Sequence, residues 1–364
     1  MKKLSTVATL FLVFFLFSCK QQPKKETFLH NQSITEGFQT AVSEKKGLIL
    51  ISNKSGCTIC ESFEVDLMKD KDYAESIYQN FVLQRVDENA VGNKWLARLL
   101  NRGSFPIFLF FNKKMQLTGI EMGAINKKEM GTYIARVLKG KKWVDHFYQP
   151  GDETGMSADR LLTYVENGYN AEYYWTLYQS KQNPAKIDLM EPALKKSIKA
   201  YSTFYNNYLL AKYYALKKDS IQSNEAAKLA LSVNDGTSLY FNNGLRTELK
   251  MIIDSKFDAF KEPYVGISQT EQNFGNVKFG EKKIATFKVT NLGKAKLTFN
   301  NILSDCNCTV ADYPKEGIEP KKSGNITLTF SSNKPGEFSH MAEIGSNAVN
   351  APIQLTIKGV VLGD

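Results

Sequence analysis

The sequence predicts a multidomain chain: an α/β domain, then an all-α segment of helical hairpins, then an all-β sandwich. Three changes of hydrophobic period predict it. From about residue 34 to 145 short apolar runs alternate with amphipathic helical stretches, the pattern of helices packed on a sheet. From about 152 to 258 strand signals vanish and aromatic-rich helical periods replace them. From about 263 to 362 the period falls to two and turn signals such as NLGK, KKSG and NKPGE separate the runs, as in a sandwich of short strands. A length of 364 residues also exceeds what one hydrophobic core usually organises.

In the first region SITEGFQTAVSEKK is helical in period, GLILIS (47–52) is a fully apolar strand, and TICESFEVDLMKD is a helix beginning at the cysteine before it. FVLQRVD (81–87) is the second strand, NKWLARLLN a helix, PIFLFF and QLTGIEM paired strands, and KKEMGTYIARVLKG the closing helix. The second region yields about six helices: SADRLLTYVENG, NAEYYWTLYQSK, MEPALKKSIKAY, TFYNNYLLAKYYALKKD, SNEAAKLALSVN and GLRTELKMIIDSKF. Ala211, Ala227 and Ala230 fall where paired helices would touch, and the tyrosines read as core. The segment is expected to act as a connector or docking surface. In the third region KIATFKVTN, AKLTFNNIL, NITLTF and PIQLTIKGVV are the clearest of seven or so strands, which argues a sandwich of immunoglobulin type.

Ahead of these regions stands MKKLSTVATLFLVFFLFSC: two lysines, an apolar stretch from about Val7 to Phe17, and Ser18 before Cys19. That is the layout of a secretory signal peptide over residues 1–18, too short for a membrane span of roughly 20 residues. LFSC resembles the lipobox of bacterial lipoproteins, which implies that Cys19 is acylated and becomes the new N-terminus. Lys20 follows it, where some lipoproteins kept at the inner membrane carry aspartate, so the outer membrane is the expected address within the cell envelope. Residues 19–33, with the polar run KQQPKKETF, are expected to be a tether. The formal charge is +10, and loss of Lys2 and Lys3 with the leader leaves about +8. The lysines are scattered, without the aromatic interleaving of a nucleic-acid groove. Attraction to anionic lipid or envelope polymer is the modest consequence.

Five cysteines occur in all. With Cys19 lipidated, Cys57, Cys60, Cys306 and Cys308 remain as two close pairs. In an oxidising compartment such pairs read as redox or disulfide chemistry before zinc. Only three histidines, His30, His146 and His340, are available, and none is near a pair in sequence, so no metal is assigned and no zinc site shared by the two pairs is expected. A cysteine at a helix N-terminus gains thiolate character from unpaired backbone N–H groups and the helix dipole, and a second cysteine one turn later can resolve a mixed disulfide. CTIC (57–60) after the apolar strand and the turn NKSG has that arrangement, with Lys54 adding positive charge. A structural disulfide is the alternative.

These residues carry a family likeness. The strand, turn, CTIC and helix at 47–68, and RGSFPIFLFF at 102–111, make residues 34–145 resemble the thioredoxin superfamily, particularly the short thioredoxin-like domains of exported bacterial proteins. The resemblance implies Cys57 as nucleophile and Cys60 as resolving thiol. It also implies Pro106, joined to Phe105 by a cis bond, as the platform that pairs with substrate. Gly56 replaces the family's tryptophan, Ile51 its buried acid, and Thr58-Ile59 its Gly-Pro. The helical region is weakly similar to tetratricopeptide repeats, without a clean 34-residue period. Residues 263–362 resemble a bacterial domain of unknown function with an immunoglobulin-like fold related to Hydin-type domains, on FGNVKFGEK, the CNCT stretch with Tyr313-Pro314, EPKKSG and LTIKGVV. Cys306 and Cys308 are structural, a second redox pair, or holders of a soft ion such as Cu(I). The function expected is a membrane-anchored thiol-disulfide oxidoreductase acting on envelope proteins that bear thiols or disulfides, with no dissociable cofactor. The alternative is a non-enzymatic envelope scaffold whose CxxC disulfide is structural.

Overall fold

The computed structural model describes residues 28–30, 33–53, 58–88, 93–101, 106–150, 155–234, 242–304 and 309–363. The first region contains β1 (Phe28–His30), α1 (Ile34–Ser43), β2 (Gly47–Asn53), α2 (Thr58–Lys69), α3 (Lys71–Tyr78), β3 (Phe81–Asp87), α4 (Lys94–Leu100), β4 (Ile107–Phe111), β5 (Leu117–Met122), α5 (Lys127–Leu138) and β6 (Trp143–Val144). They build one six-stranded sheet in the order β1-β3-β2-β4-β5-β6. Central β2 runs parallel to β3 and antiparallel to β4.

Strand β2 is buried at every position because both faces of the sheet are covered, and a strand so placed must be apolar throughout. Alternation sends Leu48 and Leu50 to one face, with α1 and α4. It sends Ile49 and Ile51 to the other, with Phe63 and Leu67 of α2, Tyr73 and Ile77 of α3, and Met130 and Val137 of α5.

Three elements escape the sequence reading. Strand β1 falls inside the expected tether and pairs in parallel with β3; its Phe28 and Leu29 pack against opposite sides of the sheet. Helix α3 is capped by the Asp70 side chain, which accepts from the Tyr73 backbone N–H at 2.9 Å, and it buries Tyr73 and Ile77 one turn apart. Strand β6 is two residues long.

The middle region comprises α6 (Ala158–Gln179), a 3₁₀ turn (Pro184–Leu189), α7 (Met190–Ala200), α8 (Phe204–Leu216), α9 (Ser220–Ser232) and α10 (Asn243–Ile253). Two helices expected within 158–179 are one helix of 22 residues. Gly168, which reads as a break, serves a close approach: a Cβ there would lie 2.2 Å from Leu99 Cδ1 of α4. Rather than standing apart as a connector, this region shares a continuous apolar core with the sheet, running from Leu50, Leu109 and Phe111 through Tyr164 and Tyr169 to Ala211 and Leu249. The Leu117 backbone N–H donates to the Glu166 carboxylate at 2.7 Å. The tyrosines are core residues, as expected: Tyr164, Tyr169, Tyr173, Tyr205 and Tyr213 are all buried.

The last region holds β7 (Val265–Ile267), β8 (Glu271–Val277), β9 (Lys283–Asn291), β10 (Phe299–Ser304), β11 (Thr309–Asp312), β12 (Ser323–Phe330), β13 (Gly336–Ser346) and β14 (Ile353–Val361). Two four-stranded sheets, β10-β13-β14-β8 and β11-β12-β9-β7, face each other across Phe287, Leu328, Phe330, Ile344, Leu355 and Ile357. Contacts among the described residues fix the sandwich to the rest, including those to α10 and α4. The N-terminus of α10 is bonded to the 348–351 turn, with the Gly244 N–H donating to the Ala351 carbonyl at 3.0 Å and the Thr247 hydroxyl to the Val349 carbonyl at 2.7 Å. Lys94, the first residue of α4, pairs with Glu343 of β13. Among the described residues no helix is long and apolar enough to cross a membrane.

Candidate functional site

Of the residues singled out from the sequence, Cys60 and Pro106 are described; Cys19, Cys57, Phe105, Cys306 and Cys308 lie outside the described residues, as does the Phe105–Pro106 bond. Cys60 is the third residue of α2, 2 % exposed and disulfide-bonded. Pro106 is buried and immediately precedes β4, whose Ile107 pairs with Ser52 of β2. The two residues are therefore at the same end of the sheet. The Pro106 carbonyl accepts from the Gly123 N–H at 2.9 Å, and Gly123 has φ of 84°, a region that favours glycine. Ile59, between the two cysteines in sequence, is 55 % exposed, an apolar surface beside the disulfide.

Charged groups cluster under this end on both faces. On the face of α2, the Arg85 guanidinium of β3 donates through Nη1 to Glu64 Oε1 and Oε2 at 3.0 and 2.9 Å. With the Asn53 amide in the orientation that satisfies both its groups, Asn53 Oδ1 accepts from Arg85 Nε at 2.7 Å. On the opposite face the Ser52 hydroxyl donates to Glu88 Oε1. Glu88 is 4 % exposed, and burial above all raises its carboxyl to about 8, with the Ser52 hydrogen bond working against the shift and the Asp87 charge adding to it. The strand ends are tied together as the Glu88 N–H donates to the Asn53 carbonyl at 3.0 Å and Asn93 Nδ2 to the Asp87 carbonyl at 3.1 Å. Further along the same edge Glu121 is raised to about 7, by burial first and then by the neighbouring Asp145 carboxyl.

The sequence reading missed Glu64, Arg85, Ser52 and Glu88. A signal for the first two was present: Arg85 follows the apolar start FVL of its strand and is a charge in a buried strand, and Glu64 stands four residues after Cys60. Ile51 packs in the core, and the buried carboxylates at this end come from α2 and from the residue after β3.

The second cysteine pair lies between β10 and β11 in sequence. The Ser304 end of β10 pairs with β13, with Leu303 opposite Glu343, so this end of the sandwich is the one joined to α4 through Lys94. Among the described residues no three His, Cys, Asp or Glu side chains are grouped so as to hold a metal ion.

Residues 265–361 match the model of a family described as protein of unknown function (DUF1573), and the β-sandwich is the fold of that region. No curated protein matches the chain. Similar solved structures include a protein of unknown function from Porphyromonas gingivalis W83, 15 % identical over 29 % of this chain and 50 % of that one, with a TM-score of 0.25. A PapD-like domain of human CEP192 is 10 % identical over 30 % of this chain and 91 % of that one, with a TM-score of 0.27. Thioredoxin O2 from Arabidopsis thaliana, in its oxidised state, is 16 % identical over 31 % and 95 %, with a TM-score of 0.25. The chain thus spans half the length of the Porphyromonas protein.

Proposed function

We propose that the protein is a thioredoxin-like thiol-disulfide oxidoreductase of the bacterial cell envelope, lipid-anchored through Cys19 and acting on envelope proteins. The observation that carries this reading is Cys60: disulfide-bonded, buried in the first turn of a helix that follows a fully buried central strand, and at the same sheet end as Pro106. Cys57, directly before α2 in sequence, is the nucleophile, its thiolate favoured by the N-terminal end of the helix. Its sulfur attacks a substrate disulfide, a mixed disulfide forms and one substrate thiol leaves. Cys60 then attacks the Cys57 sulfur, which closes the Cys57–Cys60 bond and releases the second substrate thiol. Two electrons pass from the dithiol to the substrate, and the reverse sequence oxidises a substrate dithiol. Exposed Ile59 and the segment at Phe105 and Pro106 form the substrate platform.

The test is trapping. In cells expressing Cys60→Ala, envelope proteins should accumulate on Cys57 as mixed disulfides that disappear in Cys57→Ala. Absence of such adducts, together with a Cys60 disulfide that persists unexchanged in the wild type, would leave a structural disulfide and a scaffold function. The anchor is tested separately: Cys19→Ala should move the protein from the membrane to the soluble fraction.

A further inference from the structure

We propose that the end of the six-stranded sheet opposite Cys60 is a docking face for anionic lipid, which lays the chain on the membrane with its Cys60 end turned away. This rests for its role on the membrane-anchored reading above and adds to it the surface that meets the bilayer.

Strand pairing fixes which turns share that end. Gly47, the first residue of β2, is opposite Phe81, the first of β3, and Leu48 is opposite Phe111, the last of β4. Phe111 faces Leu117, the first of β5, and β6 starts at Trp143 parallel to β5. The α1–β2, β4–β5 and α5–β6 turns therefore form a row, about 20 Å long at about 4.8 Å per strand. They carry Lys45 and Lys46, then Lys113 and Lys114, then Lys139, Lys141 and Lys142, and all but Lys46 are exposed. Lys46 pairs with Glu44 at 2.7 Å and Lys142 with Asp159 at 3.2 Å. The other five have no ion pair among the described residues. Two more carboxylates stand on elements that reach this end: Glu166, half-buried and held by the Leu117 N–H at 2.7 Å, and Glu75 in the last turn of α3. The lysines outnumber the acids.

A cation just past a helix C-terminus is favoured by the helix dipole, which accounts for single lysines after α1 and α5. It does not account for Lys113 and Lys114, which sit on a hairpin. Nor does it account for Lys45 at φ of 55°, a position where glycine ordinarily ends a helix. Gathered like charges repel one another unless an opposite charge meets them, and an extended anionic surface meets all of them at once. Val42 and Leu138, in the last turns of α1 and α5, are 52 % and 55 % exposed. Their helices cover opposite faces of the sheet, so an apolar side chain flanks the lysine row on each side, the composition of a surface that enters the headgroup boundary. The chain also arrives from this end, because β1 runs parallel to β3 and β3 starts here. Cys19 stands nine positions before Phe28, and nine residues reach at most about 30 Å. An anchor there keeps the lysine end, not the Cys60 end, next to the bilayer.

The experiment uses the whole chain from residue 19 with Cys19→Ser, so that no acyl chain contributes, and vesicles of phosphatidylcholine with or without phosphatidylglycerol, read by co-sedimentation. Binding should need the anionic lipid and fall about tenfold between about 0.1 M and about 0.5 M salt. Each lysine near an anionic surface strengthens binding about fivefold, so Lys113→Gln with Lys114→Gln should weaken it about tenfold or more. Lys228→Gln with Lys334→Gln, an equal change of charge on α9 and on the sandwich, should stay within about twofold. All four side chains are exposed, so the fold is not at stake. Acetylation read by mass should find Lys45, Lys113, Lys114, Lys139 and Lys141 protected on vesicles, with Lys128, at the start of α5 near the Cys60 end, still reactive. Equal losses in the two double variants would mean that net charge alone attracts the chain, and protection of Lys128 would mean that no one face docks; either overturns the proposal. So would binding without anionic lipid, or a chain that ignores vesicles but is held by a soluble polyanion. Anchoring is judged separately: Cys19→Ala protein that stays on membranes through a high-salt wash would sink the anchor and leave the face standing, whereas a released Cys19→Ala protein with no vesicle binding would sink the face alone.

Discussion

The two faces of the six-stranded sheet bury a carboxylate in two different ways. On the α2 face Glu64 is held by a guanidinium. On the α4 face, only one strand position away, Glu88 has a hydroxyl donor and is pushed to about 8 by burial, so it is neutral at pH 7. The first solution keeps two charges and fixes their positions; the second gives up the charge. The difference suits what each face packs against. The α2 face carries the buried, disulfide-bonded Cys60. The α4 face belongs to the core that runs on into the helical region, where an unpaired charge would be costly.

The largest test of this comparison separates the faces with adjacent residues. Phe110 and Phe111 are both fully buried on β4, but Phe110 points into the α2 face and Phe111 into the shared core. Each change to Ala should cost about 3–5 kcal/mol in urea unfolding. Only Phe111→Ala should also speed amide exchange in α6, because Phe111 packs on Tyr169 at 4.9 Å between centroids. Equal protection of α6 in both variants would mean that the helical region is not held by the sheet.

Next in size is the ion pair. Arg85 and Glu64 side chains are 19 % and 12 % exposed, so removing one partner leaves a largely buried charge. Arg85→Met should lose about 3 kcal/mol in chemical denaturation. Replacing both by apolar residues should recover much of it, and a double variant as unstable as the single would show that packing, not charge, is at stake.

How much of this was legible in the sequence follows from where the information lies. The periods of GLILIS, PIFLFF and TICESFEVDLMKD were local signals, and they appear as β2, β4 and α2. Strand β1 was not legible because three residues, FLH, carry no period; they are extended only because β3 offers an edge. The continuity of α6 through Gly168 depended on Leu99, 69 positions earlier in the chain. Glu88 could not be placed because its partner, Ser52, is 36 residues away, and a glutamate after a strand usually faces solvent.

The contrast between paired and protonated carboxylates also predicts a pH dependence. Unfolded, Glu88 releases its proton near the ordinary 4.5; folded, it keeps it to about 8. Glu121 and buried Glu172 behave alike, each held up to about 7 chiefly by burial. Between those limits the folded state binds more protons, so stability is full below pH 4.5 as far as these groups are concerned and is lost as pH rises toward 8. For Glu88 the loss from pH 5 to 7.5 should be on the order of 3 kcal/mol. Glu88→Gln should flatten that part of the slope. An unchanged slope in Glu88→Gln would mean that the carboxyl is ionised in the fold.

The smallest expected effect concerns the contact between α4 and the sandwich, which resembles the Arg85 site more than the Glu88 site. Lys94 and Glu343 form an ion pair with side chains 15 % and 22 % exposed, and burial lowers the lysine's affinity for its proton while Glu343 partly restores it. A cation held below its ordinary 10.5 costs the fold free energy, and the folded state recovers it only as pH rises toward that value. The pair should therefore specify how the sandwich meets α4 more than it strengthens the contact, which also has the α10 hydrogen bonds to the 348–351 turn. Glu343→Gln, which strands the lysine, should cost about 1–2 kcal/mol. The double change Lys94→Met with Glu343→Leu should cost less than either half of that, and small-angle scattering should show whether the sandwich keeps its place. If the double variant is the less stable of the two, the ion pair is a true source of cohesion, and the distinction drawn between fixing positions and supplying stability fails at this contact.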